Sequence, residues 1–264
     1  MYAFTLERPA SIADAAKLAA AGAKPLAGGQ TLLASMKLRL SAPDQLVDLG
    51  GIAELVGIKK DGDKIVIGAM TKHTDVGHSA EVKAAFPALA WLAGHIGDRQ
   101  VRAMGTIGGS LANNDPAACY PSAALATGAT IVTTKREIAA DDFFQGLFST
   151  ALEEDEIITS VSFPIPAKAG YAKMRHPASR FALTAVFVAQ TKSGEVRVAA
   201  TGASQSGVMR VPAIEAALKA NWSASALDSV KISDGNMIAD LHGSTAYRAN
   251  LVKVMAQRAV TAAG

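Results

Sequence analysis

Cysteine is nearly absent from this chain, since Cys119 is the single cysteine among 264 residues. A lone cysteine cannot close an internal disulfide, and it cannot supply the ligands of an iron–sulfur cluster or of a cysteine-type zinc site. Disulfides belong to oxidising compartments. The composition therefore excludes a disulfide-stapled or iron–sulfur protein and favours a reducing, cytoplasmic setting.

Long apolar runs and an excess of charge of one sign are also missing. No apolar run reaches the roughly 18 residues that a membrane helix requires, and the opening residues lack the basic and apolar regions of a secretory signal. Only 19% of the residues are charged, and the net charge of +3 is spread along the chain, which gives no indication of nucleic-acid binding. Half of the residues are hydrophobic, so we expect one to three compact units with a substantial core.

Several catalytic motifs are absent as well. The chain contains no G-x-x-x-x-G-K-[ST] phosphate loop, no G-x-G-x-x-G dinucleotide fingerprint, no G-x-S-x-G nucleophile elbow and no H-E-x-x-H metal motif. Five histidines lack the spacing of metal ligands: His73, His78, His95, His176 and His242. We therefore predict no metal site and no catalytic side chain.

The residue pattern predicts an α+β fold with a boundary near Pro164 and Pro166. Periodicity and turn residues predict short strands or hairpins at 46–49, 55–69 with a turn at Asp61-Gly62, 130–138 and 156–163. They also predict helices at 12–19 behind a capping box at Ser11, at 79–95 with an interruption near Pro87, and after Pro121. Beyond the boundary, strands at 181–190 and 195–201 precede a mainly helical region. The sequence thus predicts a mixed region of about 165 residues, followed by strands and then helices.

Two glycine-rich stretches are candidate ligand loops: A-G-G-Q-T-L-L at 27–33 and G-T-I-G-G-S-L-A-N-N-D at 105–115. Glycine leaves backbone N–H groups accessible, and successive N–H groups in a turn form a concavity that suits phosphate oxygens. Polar side chains in both stretches would add donors and acceptors: Thr31, Thr106, Ser110, Asn113, Asn114 and Asp115. Two such loops would clamp one diphosphate, but the residues alone leave it equally open that each stretch is only a tight turn.

Further segments accompany these stretches in a fixed order: L-V-D-L at 46–49, I-G-A-M-T-K-H-T at 67–74, V-R-A-M-G-T-I-G-G-S-L-A-N-N-D-P-A-A at 101–118, D-F-F-Q-G at 142–146, E-I-I-T-S-V-S-F-P at 156–164, Y-A-K at 171–173 and S-T-A-Y-R-A-N-L at 244–251. In this series the chain resembles the flavin-binding medium subunits of molybdenum hydroxylases, the family of carbon monoxide dehydrogenase and xanthine dehydrogenase. The similarity is collinear over nearly the whole chain. The two glycine motifs are specific as a pair, although each is weak alone.

The resemblance implies a PCMH-type FAD-binding domain at 1–165, with subdomains at about 1–54 and 55–165, followed by a C-terminal flavoprotein domain at 166–264. By this resemblance, the residues that wrap the pyrophosphate are Ala27, Gly28, Gly29, Gln30, Thr31, Leu32 and Leu33, together with the stretch from Thr106 through Gly108 to Gly109. Those that follow the ribityl and adenosine side are Ser110, Asn114 and Asp115. Further neighbours of the nucleotide are Thr71, His73, Lys173 and either Ile157 or Ile158.

The resemblance also implies partners. In the family, a molybdenum cofactor on a large subunit oxidises the substrate, and two [2Fe–2S] clusters on a small subunit pass electrons to FAD and on to an external acceptor. A heterotrimer is thus expected, with the molybdenum cofactor and the clusters only on the partner subunits. Gln30 stands where some flavoproteins of the wider fold attach flavin through a histidine, so we predict non-covalent FAD. A stand-alone FAD-dependent reductase or oxidase and a non-redox module of the same fold stay open as alternatives.

A few side chains carry separate expectations. Cys119 stands where relatives often have an acidic residue, which removes a carboxylate acceptor, and we expect it to be a small buried filler. Lys173 matches a basic position near the flavin, where it would stabilise the anionic reduced ring, and a surface lysine is the alternative. Arg99 and Arg102 precede the second glycine-rich stretch. We expect them to be solvated surface residues, and the alternatives are partners of the phosphates or residues of a subunit interface.

Overall fold

The computed structural model describes residues 1–264, and it has the α+β composition expected from the sequence. The first region consists of β1 (Thr5–Glu7), α1 (Ile12–Ala20), β2 (Lys24–Leu26), α2 (Leu32–Lys37) and β3 (Gln45–Asp48). Its three strands are parallel and lie in the order β1–β3–β2. The first glycine-rich stretch therefore connects the edge strand β2 to the short helix α2.

The second region is an antiparallel sheet in the order β4–β5–β10–β6–β7, with helices inserted between its strands. Its elements are β4 (Ile58–Asp61), β5 (Lys64–Gly68), α3 (His73–His78), α4 (Ala80–Ala85), α5 (Pro87–Gly94), α6 (Arg99–Met104), α7 (Ile107–Asn113), α8 (Tyr120–Thr127), β6 (Thr130–Thr133), β7 (Glu137–Ala139), α9 (Ala140–Phe143), β8 (Phe144–Gly146), β9 (Ser149–Thr150) and β10 (Ile158–Pro164). Strands β8 and β9 pair only with each other. The hairpins predicted at 55–69 and 130–138 and the helix break at Pro87 are confirmed.

The third region is an antiparallel sheet in the sequential order β11–β12–β13–β14, covered on one face by two helices. Its elements are β11 (Lys168–Arg175), β12 (Ala182–Gln190), β13 (Val196–Ser204), β14 (Gly207–Arg210), α10 (Pro212–Ala220) and α11 (Thr245–Ala262). The predicted order of strands followed by helices is thus confirmed. Helix α11 approaches β11 so closely that a Cβ on Gly170 would overlap the carbonyl oxygen of Ala259.

Helix α8 joins the second and third regions through a shared hydrophobic core. All of its residues are buried, because it lies between its own sheet and the third sheet. The core cluster that contains α8 includes Phe163 of the second sheet and Phe187 of the third. Phe86 bridges these two rings, at centroid distances of 6.4 and 5.9 Å. Separate clusters fill the space under α10 and α11 and within the first region.

The second glycine-rich stretch is not the loop that the sequence predicted, because most of it forms helix α7. Thr106 caps this helix by accepting a hydrogen bond from the N–H of Gly109 at 3.2 Å. Gly108 is needed for packing, since a Cβ at this position would lie 2.6 Å from the Cβ of Ala69. A good cap and the tight contact with Ala69 therefore outweigh the low helix propensity of two adjacent glycines.

No helix of the structure is both long enough and apolar enough to cross a membrane.

Candidate functional site

The two glycine-rich stretches lie against each other, although more than 70 residues separate them in the sequence. A Cβ on Gly28 would overlap the carbonyl oxygen of Met104 and lie 2.7 Å from the Cα of Gly105. A Cβ on Gly109 would lie 3.1 Å from the Cβ of Ala27. The absence of these side chains lets the β2–α2 connection pack directly on the segment that leads into α7.

The first stretch presents a row of free hydrogen-bond donors. None of the backbone N–H groups of residues 28–32 donates to another atom of the chain. Gly29 has a φ of +69°, which turns the chain, and the Nε2 of Gln30 donates to the carbonyl oxygen of Gly28 at 3.1 Å. Thr31 begins α2 without using its hydroxyl as a cap. Successive N–H groups in such a turn form a cradle for anionic oxygens.

The second stretch contributes differently, because its amides are already used within the protein. The N–H groups of Ile107 and Gly108 donate to Thr71 and Ala69, and those of Gly109 and Ser110 donate to Thr106. Our expectation that successive amides of this stretch face a ligand is therefore wrong. The groups left free include the N–H of Thr106, the half-exposed hydroxyl of Ser110 and the half-buried side-chain amide of Asn113.

Thr71 and His73 lie beneath the second stretch. The hydroxyl of Thr71 donates to the carbonyl oxygen of Gly57 and accepts from the N–H of the same residue, both at 3.0 Å, so its side chain is fully engaged in the fold. His73 is buried with its ring centroid 5.3 Å from that of Tyr120, and its Nδ1 has no partner. Burial lowers the pKa of His73 to about 4, with a further contribution from Arg102. The imidazole is therefore neutral at pH 7.

Asn114 and Asp115 shape the end of α7. Asn114 adopts a left-handed conformation with a φ of 42°, and its Nδ2 donates to the carbonyl oxygens of Gly146 and Ser149, each at 2.8 Å. Its Oδ1 is buried without a partner. The Oδ1 of Asp115 accepts from the N–H of Ala117 at 2.8 Å. Asn114 thus holds the β8–β9 hairpin in place, and Asp115 holds the turn that follows α7.

The remaining residues implied by the resemblance are more deeply placed. Ile157 and Ile158 are buried in two different hydrophobic clusters. Lys173 is half-buried on β11, where its Nζ donates to the carbonyl oxygen of His95 at 3.1 Å and lies 3.3 Å from the Sγ of Cys119. It is therefore not a free surface lysine. Cys119 is 4% exposed and packs in the core as predicted, but it also contacts this ammonium group.

The sequence analysis misjudged one residue and missed another. Arg102 is half-buried, and its Nη1 donates to the carbonyl oxygens of Ile96 and Gly97, so the expectation of a solvated arginine is wrong for this residue. Met104 supplies the backbone that packs on Gly28. Gly28 indicates that another segment approaches closely, but no feature of the sequence identifies Met104 as the residue that does. Arg99 is exposed, as predicted.

Taken together, the free amides of residues 28–32, the N–H of Thr106 and the hydroxyl of Ser110 form a donor-rich cleft at the junction of the first two regions. Such a set of neutral donors suits a diphosphate. No group of three or more histidine, cysteine, aspartate or glutamate side chains is placed to hold a metal ion.

Comparison with known proteins also indicates a domain that binds a diphosphate-containing cofactor, FAD. Residues 2–166 match the family model described as the FAD binding domain in molybdopterin dehydrogenase. The chain is 35% identical over 271 residues to the nicotine 6-hydroxylase medium subunit of Paenarthrobacter nicotinovorans, covering 97% of this chain and 95% of the relative. It is 41% identical over 202 residues to the carbon monoxide dehydrogenase medium chain of Afipia carboxidovorans, covering 72% and 70%.

Solved structures share the whole fold. Reconstituted CO dehydrogenase from Oligotropha carboxidovorans matches with a TM-score of 0.90 at 33% identity, covering 100% of this chain and 99% of that chain. Quinoline 2-oxidoreductase from Pseudomonas putida 86 matches with a TM-score of 0.87 at 28% identity, covering 99% and 97%. The chain therefore belongs to the family of FAD-binding domains in molybdopterin dehydrogenases, as a flavin subunit of an oxidoreductase.

Proposed function

We propose that this chain holds FAD non-covalently between its two glycine-rich stretches and acts as the electron-transfer subunit of a molybdenum hydroxylase. The observation that carries the proposal is the row of unpaired N–H groups at residues 28–32, placed directly against the start of α7. The diphosphate is the part of FAD that such a cradle suits, because it carries the negative charge of the cofactor. Several neutral N–H donors can stabilise that charge without a positively charged side chain.

Each part of the cleft has a role in binding. The first stretch, from Ala27 to Leu33, cradles the diphosphate, and Thr106 and Ser110 add donors from the opposite side. Gly108 and Gly109 permit the close approach of the two sides, since a side chain at either would collide with Ala69 or crowd Ala27. Asn114 and Asp115 fix the end of α7, where the ribityl and adenosine side would run. The side chain of Gln30 is an amide and forms no covalent bond to the flavin.

Lys173 is the side chain that we assign to the flavin ring. Its ammonium is held by the carbonyl oxygen of His95 and by the sulfur of Cys119, and no carboxylate pairs with it. A fixed positive charge near the ring would favour its anionic reduced form. When bound, FAD accepts electrons one at a time and releases them in pairs, while the protein supplies binding, orientation and electrostatics.

The remaining redox centres would belong to partner chains. One buried, free cysteine cannot ligate a [2Fe–2S] cluster, so electrons must come from a small iron–sulfur subunit, which receives them from a large molybdenum-cofactor subunit. The relatives are named as medium subunits or medium chains, which supports the same three-part assembly. We place the complex in the cytoplasm and expect an external acceptor to take the electrons from FAD.

Placing a negative charge at the cradle tests the proposal. In the variant Gln30→Glu, a carboxylate replaces the amide that braces Gly28 and repels the diphosphate, so we expect FAD affinity to fall by about tenfold or more. Binding is measured by the quenching of flavin fluorescence on titration into the purified chain.

A matched control is available at Gln205, whose Nε2 also donates to a backbone carbonyl, that of Met237, at 3.0 Å. The variant Gln205→Glu breaks the same kind of hydrogen bond in the third region and should bind FAD as the parent chain does. A parent chain that takes up no FAD, or equal affinity in both variants, would contradict the proposed site.

A further inference from the structure

The loop at 176–181, which connects β11 to β12, is fastened to the rest of the chain by a single hydrogen bond. Its other hydrogen bonds stay within the loop: the N–H of His176 donates to the carbonyl oxygen of Phe181 at 2.8 Å, and the N–H of Arg180 donates to that of His176 at 2.9 Å. The bond that leaves the loop joins two imidazole rings, with the Nε2 of His176 and the Nδ1 of His242 3.3 Å apart. This one contact therefore decides whether the loop is held.

His242 lies in the turn before α11, which is fixed firmly to the third sheet. The N–H of His242 donates to the Oδ1 of Asp240 at 2.9 Å, and the Oδ2 of Asp240 accepts from the Nη2 of Arg248 at 2.6 Å. Arg248 is buried, and its Nη1 donates to the carbonyl oxygens of Leu183 on β12 and Gly202 on β13. The turn is thus the fixed side of the imidazole pair, and the loop is the side that can move.

The loop and the turn border a cavity of about 350 Å³ at this end of the third sheet. The loop contributes His176, Ser179 and Phe181 to its lining, and the turn contributes Asp240 and His242. No residue that we assign to the glycine cradle or to the flavin ring lines this cavity. Breaking the contact between the two rings would separate two of the segments that enclose it.

The hydrogen bonds assign a proton to one nitrogen of each ring. The N–H groups of Ala178 and Ser179 donate to the Nδ1 of His176 at 3.2 and 3.3 Å, so this nitrogen holds a lone pair and the proton lies on Nε2. The Nε2–H group of His176 then donates to the Nδ1 of His242. A proton added to either Nδ1 would replace an acceptor by a donor, so the arrangement is complete only when both rings are neutral.

The charges around the pair favour its separation in acid. Asp240 and Arg248 are the charged groups that line the cavity with the two rings, and Arg175 and Arg180 are exposed cations on the loop side. Burial raises the pKa of Asp240, but hydrogen bonds from Arg248 and from the N–H of His242, with the charges of both residues, hold the pKa below its usual range. Asp240 is therefore ionised wherever histidine titrates, and it attracts a protonated His242 toward its own turn.

We propose that His176 and His242 form an acid-sensitive strap, which fastens the loop at 176–181 beside the cavity at neutral pH and releases it in acid. Histidine is the side chain that changes charge in the physiological pH range, and a proton on either ring disrupts the hydrogen bonds that the pair makes. Two protonated rings would also repel each other. The released loop opens the cavity to solvent. The strap does not rest on the proposed function, because the loop and the turn supply no residue to the cofactor site.

Hydrogen–deuterium exchange of the full chain at pH 8 and pH 5, read by mass spectrometry, tests the strap. Each rate is divided by the intrinsic rate of an unstructured peptide at the same pH. We expect the corrected exchange of residues 176–181 to be about threefold or more faster at pH 5, as the loss of one net hydrogen bond implies. In the variant His242→Ala, which lacks the strap, the loop should exchange at pH 8 as fast as the parent loop does at pH 5.

Two further variants make the test specific. His242→Asn offers an amide oxygen that accepts a hydrogen bond but does not titrate, so its loop should show a smaller pH dependence than the parent loop. The exposed His78 on α3 provides the control, because its Nδ1 also lies 3.3 Å from a side-chain partner, the hydroxyl of Thr74. His78→Ala should leave the exchange of the loop unchanged at both pH values.

Three results would each overturn the strap: equal corrected exchange of the parent loop at the two pH values, slow exchange of the loop in His242→Ala at pH 8, or the same pH dependence in His242→Asn as in the parent. FAD uptake is read separately, from the visible absorbance of the flavin. A chain that binds no FAD but shows the expected exchange would contradict the proposed function and support the strap.

Discussion

Single residues around the cradle show how burial and polarity are balanced. Burying a polar atom without a partner costs free energy, yet the Nδ1 of His73, the Oδ1 of Asn114 and the hydroxyl of Tyr120 are all buried without one. These residues lie in or directly beside the segment that forms the second wall of the cleft. This part of the fold thus tolerates unsatisfied polar atoms.

His73 makes stability depend on pH in a defined window. The pKa of its imidazole is about 4 in the folded chain and 6.5 when the residue is exposed, so between these values the unfolded chain binds more protons. Stability therefore falls as the pH drops below about 6.5. We expect His73→Phe, which keeps a ring against Tyr120, to remove about 2 kcal/mol of the stability loss between pH 7 and pH 5.

Urea unfolding of both chains at pH 7 and pH 5 measures this difference. Glu156 does not interfere. Burial raises its pKa, but hydrogen bonds from Arg136, Thr133 and the N–H of Glu153, together with the charge of Arg136, hold the pKa at about 2 in the folded chain, below this window. Identical pH dependence in the two chains would show that His73 is not protonated preferentially in the unfolded state.

At the scale of elements, the approach of the β2–α2 connection to α7 depends on glycines that cannot be replaced. A Cβ on Gly28 would overlap the Met104 carbonyl, so Gly28→Ala must push the two sides of the cleft apart. We expect this variant to lose FAD affinity by about tenfold or more while its far-ultraviolet circular dichroism is unchanged. Gly109→Val should act in the same direction, because its side chain would crowd Ala27.

Gly235 offers the matching control for these glycine variants. A Cβ at this position would meet only the hydroxyl oxygen of Ser233 at 3.7 Å, an ordinary contact. Gly235→Ala should therefore bind FAD as tightly as the parent chain. If Gly28→Ala retained full affinity, the two stretches would not need to touch in order to hold the cofactor.

The sequence predicted elements well where local signals act alone. The capping box at Ser11, the turn at Asp61-Gly62 and the break at Pro87 all depend on neighbouring residues, and each is found in the structure. The helix α7 was missed because two adjacent glycines resemble a loop, whereas contact with Ala69 stabilises a helix. Tertiary packing decided this segment, and no local pattern contains that information.

The candidate site was predictable only in part for the same reason. The motifs identified which stretches matter, but not that one offers free amides while the other uses its amides within the fold. The contact between Lys173 and Cys119 joins residues that are 54 positions apart in the sequence. Residue spacing cannot predict a contact between residues so far apart in the chain, so this contact is known only from the structure.

At the scale of the whole molecule, the second and third regions are joined by one core and by Arg197. Its side chain is 12% exposed, and its guanidinium donates to the carbonyl oxygen of Leu125 at the end of α8 and to both oxygens of Asp141. The guanidinium of Arg197 on β13 thus satisfies a carbonyl oxygen in the last turn of α8, the helix that lies between the two sheets. The continuous core predicts a single cooperative unfolding transition for these two regions.

Removing this guanidinium should therefore loosen the junction and leave each sheet intact. We expect Arg197→Met to lower the free energy of unfolding by about 1–3 kcal/mol, because it leaves the carbonyl oxygen of Leu125 without its donor, whereas Asp141 keeps its second arginine, Arg210. Lys192 provides the control, since its pair with Asp63 connects the same two regions but is largely exposed, and Lys192→Met should leave stability unchanged. Differential scanning calorimetry measures both variants. An equal effect of the two substitutions would mean that the junction depends on net charge and not on the buried contact at α8.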